Sequence, residues 1–169
     1  SDVYYPGAND NASGVAMLLN LAKYYQNNPP EKSLAFIAFG AEECGLLGSK
    51  HYVETPLFPL EKIDLVLNFD MIADNGDSLY VQCNETAENH LKNLEKISLK
   101  NEYFTTFDRD TLSPHSDHYP FVQKDVPAIF FSTHGDIKNH YHTPLDNKNH
   151  IYTIKFTALF EMVTNYLFS

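Results

Sequence analysis

The sequence predicts an α/β protein: a three-layer arrangement in which helices flank a mostly parallel sheet. Three observations carry this. Segments of helical period alternate with short apolar runs along the chain. Those runs lack the apolar–polar alternation of a sheet with one wet face, so they read as strands covered on both sides. A length of 169 residues suits one domain, since a chain of this size buries about two-thirds of its unfolded surface. A single domain spanning residues 1–169 is the expectation.

The elements follow in order. Residues 12–25 place Val15, Leu18, Leu19, Ala22 and Tyr25 at helical spacing, and Asn27, Asn28, Pro29 and Pro30 stop that helix. Residues 33–40 (SLAFIAFG) form the first apolar run, expected as a buried strand. Residues 46–53 read as a helix, 63–71 (IDLVLNFDM) as a second buried strand and 78–83 as a third. A helix is expected over 86–101, with Leu91, Leu94, Ile97 and Ser98 on one side. A β-rich run at 103–107 and a buried strand at 126–132 (VPAIFFS) follow. The last helix, 151–167, carries Ile151, Ile154, Ala158, Leu159, Met162, Val163 and Tyr166 on one stripe. Alternation of this kind is the signature of crossover units and a parallel sheet.

Composition removes several function classes. Twelve Lys and Arg face 22 Asp and Glu, a formal charge of -10 with no basic run, which argues against a nucleic-acid partner. No stretch approaches the ~20 apolar residues of a membrane span. Cys44 and Cys83 are too few for a disulfide framework or a four-cysteine zinc site. The opening Ser1, without Met or a visible leader, suggests a piece of a longer chain. There is no nucleophile-elbow serine, phosphate loop, dinucleotide glycine fingerprint or His-Glu-x-x-His.

In parallel sheets, ligands bind beyond the carboxyl ends of the strands. Four polar segments pass that test of position. The first, 7–14 (GANDNASG), opens the first helix; one residue suffices as a cap, yet Asn9, Asp10, Asn11 and Ser13 are all polar. The second, 41–45, sets Glu42 and Glu43 directly after the first apolar run, where two adjacent carboxylates repel unless something positive is near. The third puts Asp70 at the end of an otherwise apolar run, where a lone carboxylate is costly without a metal or a hydrogen-bond cage. The fourth, Asn139 to Pro144, carries His140 and His142. Each has a plain structural reading as a cap, a solvated charge or a surface imidazole. Jointly, Asp10, Glu43, Asp70 and a His supply the donor chemistry of a divalent ion such as zinc, with Glu42 to spare.

These segments resemble peptidase family M28, the zinc-dependent aminopeptidases. GANDNASG, AFGAEECGLLGS, NFDMI and the YHTP segment with the downstream Asp146 agree in order and rough spacing, from Gly7 to about Asp146. The resemblance implies a zinc exopeptidase fold of the phosphorylase/hydrolase-like kind. It also implies hydrolysis of peptide bonds at a free N-terminus. By resemblance Asp10 is the metal-bridging carboxylate, joined to Asn11 by a cis bond. Glu43, Asp70 and His142 are further metal ligands, Glu42 is the general base, and Tyr141 donates a hydrogen bond to the developing oxyanion. Asp117 and His118, in a Ser-Asp-His segment, are expected to orient the pocket. The other imidazoles, His90 and His134, are expected at the surface, and Cys44 as a packed thiol.

One departure matters. The family's first ligand is a His upstream of the bridging Asp, and no His precedes Asp10 here. The expectation is an N-terminally truncated, C-terminal fragment of the domain. Asp10, Glu43 and His142 would then hold one zinc or none, where the family holds two. The fragment itself would be of uncertain activity and would self-associate through exposed sheet surface. Family resemblance also favours an extracellular or periplasmic location. A single-zinc glutaminyl cyclase and a non-catalytic peptidase-like binding domain are the alternatives.

Overall fold

The computed structural model describes residues 4–135 and 140–167. Ser1 and Asn139, both named above, lie outside them. Among the described residues the elements run α1 (Ala12–Asn27), α2 (Leu47–Glu54), β1 (Val66–Phe69), β2 (Ser78–Cys83), α3 (Glu88–Asn101), β3 (Thr106–Arg109), α4 (Tyr119–Val122), β4 (Ala128–Thr133) and α5 (Ile154–Leu167). The α/β class is as expected.

The four strands form one sheet in the order β1-β4-β2-β3. β1 pairs parallel with β4 and β2 parallel with β3, while β2 and β4 are antiparallel. The sheet is therefore mixed. β4 lies inside the sheet between β1 and β2, and all six of its residues are buried, as the apolar run Ala128 to Phe131 leads one to expect. Successive side chains point to opposite faces. Ile129 and Phe131 enter one core with Leu79 and Val81 of β2, Met17 and Leu21 of α1, Leu91 and Leu94 of α3, and Leu159, Met162 and Val163 of α5. Ala128 enters the other, with Tyr52 and Val53 of α2 and Phe121 of α4. Phe69 and Phe131 stack across the β1–β4 pair with ring centroids 5.8 Å apart.

Three sequence expectations need correction. Residues 33–40 form no strand and none of them is buried. A strand exists only through a ladder, and the ladder ends at β1. In α1 the core-facing row is Met17, Leu21 and Tyr25, spaced by four; Val15 and Leu19, assigned to the buried stripe, are 44% and 66% exposed. The helix carries two apolar rows, and the row of Met17, Leu21 and Tyr25 is the one that packs into the core with the sheet and α5. In α5 the stripe begins later than expected, because Ile154 stands exposed at the helix start.

Candidate metal centre

α1 packs tightly on the end of β1. A side chain at Gly14 would meet the Phe69 carbonyl at 2.2 Å, so only glycine allows this approach. The segment before α1 divides its labour. Asn11 caps the helix by accepting from Gly14 N (2.9 Å), and its amide donates to Phe69 O (2.9 Å). Ser13 donates to Asn9 O (2.7 Å) and accepts from Ile72 N (3.0 Å). Asn9, fully buried, accepts from Ala73 N (2.9 Å). These bonds tie the α1 start to the chain after β1 and leave the Asp10 carboxylate uncommitted. The Asp10–Asn11 peptide bond is cis.

Asp146 fixes the approach from the far side. Its carboxylate accepts from the backbone amides of Asn9 (2.7 Å) and Asp10 (2.9 Å). Asp146 was visible in sequence only as the aspartate downstream of the YHTP segment; its positioning role was not.

Glu42 and Glu43 lie on a tight turn. The Glu42 carbonyl accepts from Gly45 N and Leu46 N (both 2.8 Å), and Ala41 and Leu46 take left-handed backbone (φ 57° and 60°) to make the turn. Met71 and His142 are also left-handed (φ 56° and 54°). For non-glycine residues this conformation is strained, and such strain concentrates where side chains must be aimed.

The geometry converges on His142. Its Nε2 lies 3.1 Å from Asp10 Oδ2 and 3.1 Å from Glu43 Oε1. One donor atom from each of the three lies within 4.8 Å of the others. Two carboxylate oxygens and an imidazole nitrogen so gathered are the donor types and number that zinc takes when one position stays open. The residues present fit the ion. His140, the other imidazole of the segment, stands away from the cluster against His150, ring centroids 4.5 Å apart.

Asp70 is not part of the three-donor set. Its carboxylate accepts from Ser116 Oγ (2.7 Å), which in turn accepts from Asn68 Nδ2 (2.7 Å). Ser116 is the serine of the Ser-Asp-His segment, but its bond to Asp70 had no signal in the sequence. Asp70 is still close enough to act electrostatically. Asp10 is pushed up to about 6 by burial and then by Asp70 and Glu43. Asp70 is raised to about 6, chiefly by burial, against the Ser116 hydrogen bond. Glu42 is raised to about 7 by burial, then by Asp70, Glu43, Asp117 and Asp10. Burial and mutual repulsion make these carboxylates resist ionising together, and a cation among them would relieve that repulsion.

Asp117 and His118 part company. Asp117 borders the cavity beside Glu42 and Asp70 and accepts from the Ser49 hydroxyl. His118 turns away from the carboxylates. It is fully buried against Phe130 (centroids 5.1 Å) and His115 (5.7 Å), with neither ring nitrogen bonded to a described residue. Burial drives its pKa down to about 3. Of the two residues expected to orient the pocket, Asp117 borders the cavity and His118 does not, because neighbouring residues at the head of a helix face different ways. Tyr141 stacks on the His142 ring, centroids 3.7 Å apart. Burial first, then Asp10 and Glu43, raise its phenol. Two lesser expectations fail: Cys44 is exposed, and His90 is half-buried, paired with the Tyr166 hydroxyl.

Fold and site together define an α/β protein with a cluster of three side chains, Asp10, Glu43 and His142, whose donor atoms fit a divalent cation. The chain belongs to peptidase family M28, whose family model matches residues 1–167. It is 32% identical over 170 residues to aminopeptidase YwaD of Bacillus subtilis, covering 95% of this chain and 37% of that protein. The crystal structure of a zinc aminopeptidase from Bacillus subtilis superposes with a TM-score of 0.82 at 31% identity, covering 96% of this chain and 42% of that one. A glutaminyl cyclase from Porphyromonas gingivalis shares the fold, with a TM-score of 0.76 at 23% identity over 96% of this chain and 63% of that one. The chain thus spans about two-fifths of the length of these two Bacillus subtilis aminopeptidases.

Proposed function

We propose that these residues form the metal centre of a zinc-dependent aminopeptidase, with Asp10, Glu43 and His142 holding one ion. The observation that carries the reading is the meeting of those three side chains beside an uncommitted Glu42. It is supported by membership of family M28 and by the named zinc aminopeptidase among the similar structures. The activity is proposed for the whole protein, since the matched relatives are much longer.

Zinc, when bound, supplies a Lewis acid and lowers the pKa of water towards neutrality. The protein's part is proton handling and placement. Glu42, half-buried and raised to about 7, has the affinity of a base that takes a proton from water and returns it to the leaving amine near neutral pH. Tyr141, stacked on the His142 ring, would donate a hydrogen bond to the oxygen that gains charge. Asp70 and Asp117, negative and outside the three-donor set, would attract the ammonium of a free peptide N-terminus. The same reading puts the enzyme outside the cytoplasm, extracellular or periplasmic, which only the family resemblance supports.

The test is hydrolysis of paired peptides with free and acetylated amino ends in the presence of zinc. Cleavage confined to the free ends is expected. Equal rates on both, or pyroglutamate formation from an N-terminal glutamine peptide with no hydrolysis, would contradict the proposal.

A further inference from the structure

The loop that carries His142 begins and ends on two further imidazoles. His140 and His150 meet with ring centroids 4.5 Å apart and planes 57° from parallel. Rings so tilted are not stacked, and no hydrogen bond joins the two among the described residues. Local turns hold both in place. His140 O accepts from Thr143 N (3.1 Å) and Thr143 Oγ1 (2.7 Å), and His150 N donates to Asn147 O (2.9 Å). The neutral His150 ring is fixed in one tautomer. Its Nδ1 lies 2.8 Å from Leu145 O, and a carbonyl only accepts, so the proton sits on Nδ1 and the lone pair on Nε2. Metal-ligating imidazoles are oriented in this manner, by giving the other N–H to a carbonyl. His140 brings a buried Nδ1 with no hydrogen-bond partner, and a buried nitrogen left so calls for one. Donor nitrogens about 2.0–2.1 Å from an ion, at angles of about 90–110°, set two imidazoles about 4.5–5 Å apart between centroids.

We propose that His140 and His150 form a second cation site, separate from the three-donor centre, for a divalent transition ion that favours imidazole: copper(II) above nickel(II) and zinc(II). The order follows from nitrogen donors, for which copper(II) stands highest among these ions. Calcium and magnesium, which take oxygen, are excluded. Neither imidazole belongs to a group of three or more His, Cys, Asp or Glu donors among the described residues, so water completes the ion's shell. Two donors hold zinc less firmly than three, and the first equivalent of zinc still goes to Asp10, Glu43 and His142. The consequence is mechanical. Residues 140–150 carry both His142 and Asp146, the aspartate that accepts from the amides of Asn9 and Asp10. An ion shared by His140 and His150 closes that loop at its base and lowers its freedom to leave the metal centre.

Copper(II) chloride titrated into the full 169-residue chain at neutral pH, followed by pulsed electron paramagnetic resonance, counts the imidazoles on each ion. A component with two imidazole nitrogens is expected from His140 and His150, beside a component with one from the metal centre. His140→Gln and His150→Gln should each weaken formation of the two-nitrogen component at least tenfold. His142→Ala should leave it in place, and a tenfold excess of calcium should not displace it. The spectrum of the unaltered chain makes the test without any substitution. Absence of a two-nitrogen component there, its persistence in both glutamine variants, or its loss in a folded His142→Ala variant would each overturn the proposal. A two-nitrogen component found without the one-nitrogen component would support this site and contradict the metal centre.

Discussion

The two flanks of the sheet are built differently. Around β4, β2, α3 and α5, every inward side chain meets another, and Leu79, Ile129, Phe131, Leu159 and Met162 are completely buried. Beyond β1, apolar side chains face outward: Leu19 is 66% and Phe36 38% exposed, and residues 34–39 join no ladder. The proposed metal centre sits on the open flank, its segments tied by hydrogen bonds of Asn11, Ser13 and Asp146. Stability should therefore be set on one side of the molecule and chemistry on the other.

Substitutions separate the two. The largest effect expected is on turnover: Glu42→Gln should lower the zinc-dependent peptidase rate by about 10²–10⁴-fold. Thermal unfolding of the same variant should show no loss of stability, because the change removes one charge from a mutually repelling group. Phe131→Ala should do the converse, costing about 3–5 kcal/mol by denaturant unfolding, with zinc affinity unchanged wherever the protein stays folded. Asp146→Ala releases the backbone of Asn9 and Asp10 and should weaken zinc binding by about 10–100-fold. A Phe131→Ala variant that lost zinc affinity while folded would collapse the distinction between the flanks.

A subtler effect concerns pH in the metal-free protein. Asp10 and Asp70 bind protons more tightly folded (about 6) than at their ordinary 3.8, and Glu42 (about 7) more tightly than at 4.5. Their contribution to stability therefore rises as pH falls from about 7. His118 does the opposite. Folded near 3 against an ordinary 6.5, it takes a proton only when the chain unfolds, so its contribution is lost as pH falls through that range. Three carboxylates outweigh one imidazole, and stability without zinc should increase on acidification from pH 7 to about 5. Urea midpoints measured across that range with chelator present check this; a steady fall would contradict it. The smallest effect should come from Leu19→Ala, within about 0.5 kcal/mol of the parent because the residue packs on little.

The same contrast explains what the sequence disclosed. On the dense flank the apolar period was enough: α3, α5, β2 and β4 stand close to where their patterns put them. On the open flank the pattern misled, because SLAFIAFG looks like a buried strand wherever it lies, and only a bonded neighbour makes it one. At the metal centre, chemistry was legible in residue type. Asp10, Glu43 and His142 were grouped from donor chemistry and family resemblance, and the fold brings them together. Their supports were not legible. Asp146 acts through two backbone amides, Ser116 through one hydroxyl, and His118 faces away from its neighbour Asp117. Such roles depend on direction in space, which spacing along a chain does not carry.

The central claim, that Asp10, Glu43 and His142 form one cation site, is tested most directly by zinc titration at neutral pH with direct metal analysis. One equivalent is expected, lost in His142→Ala and kept in His140→Ala. Two fully occupied equivalents, or binding unchanged by His142→Ala, would contradict it.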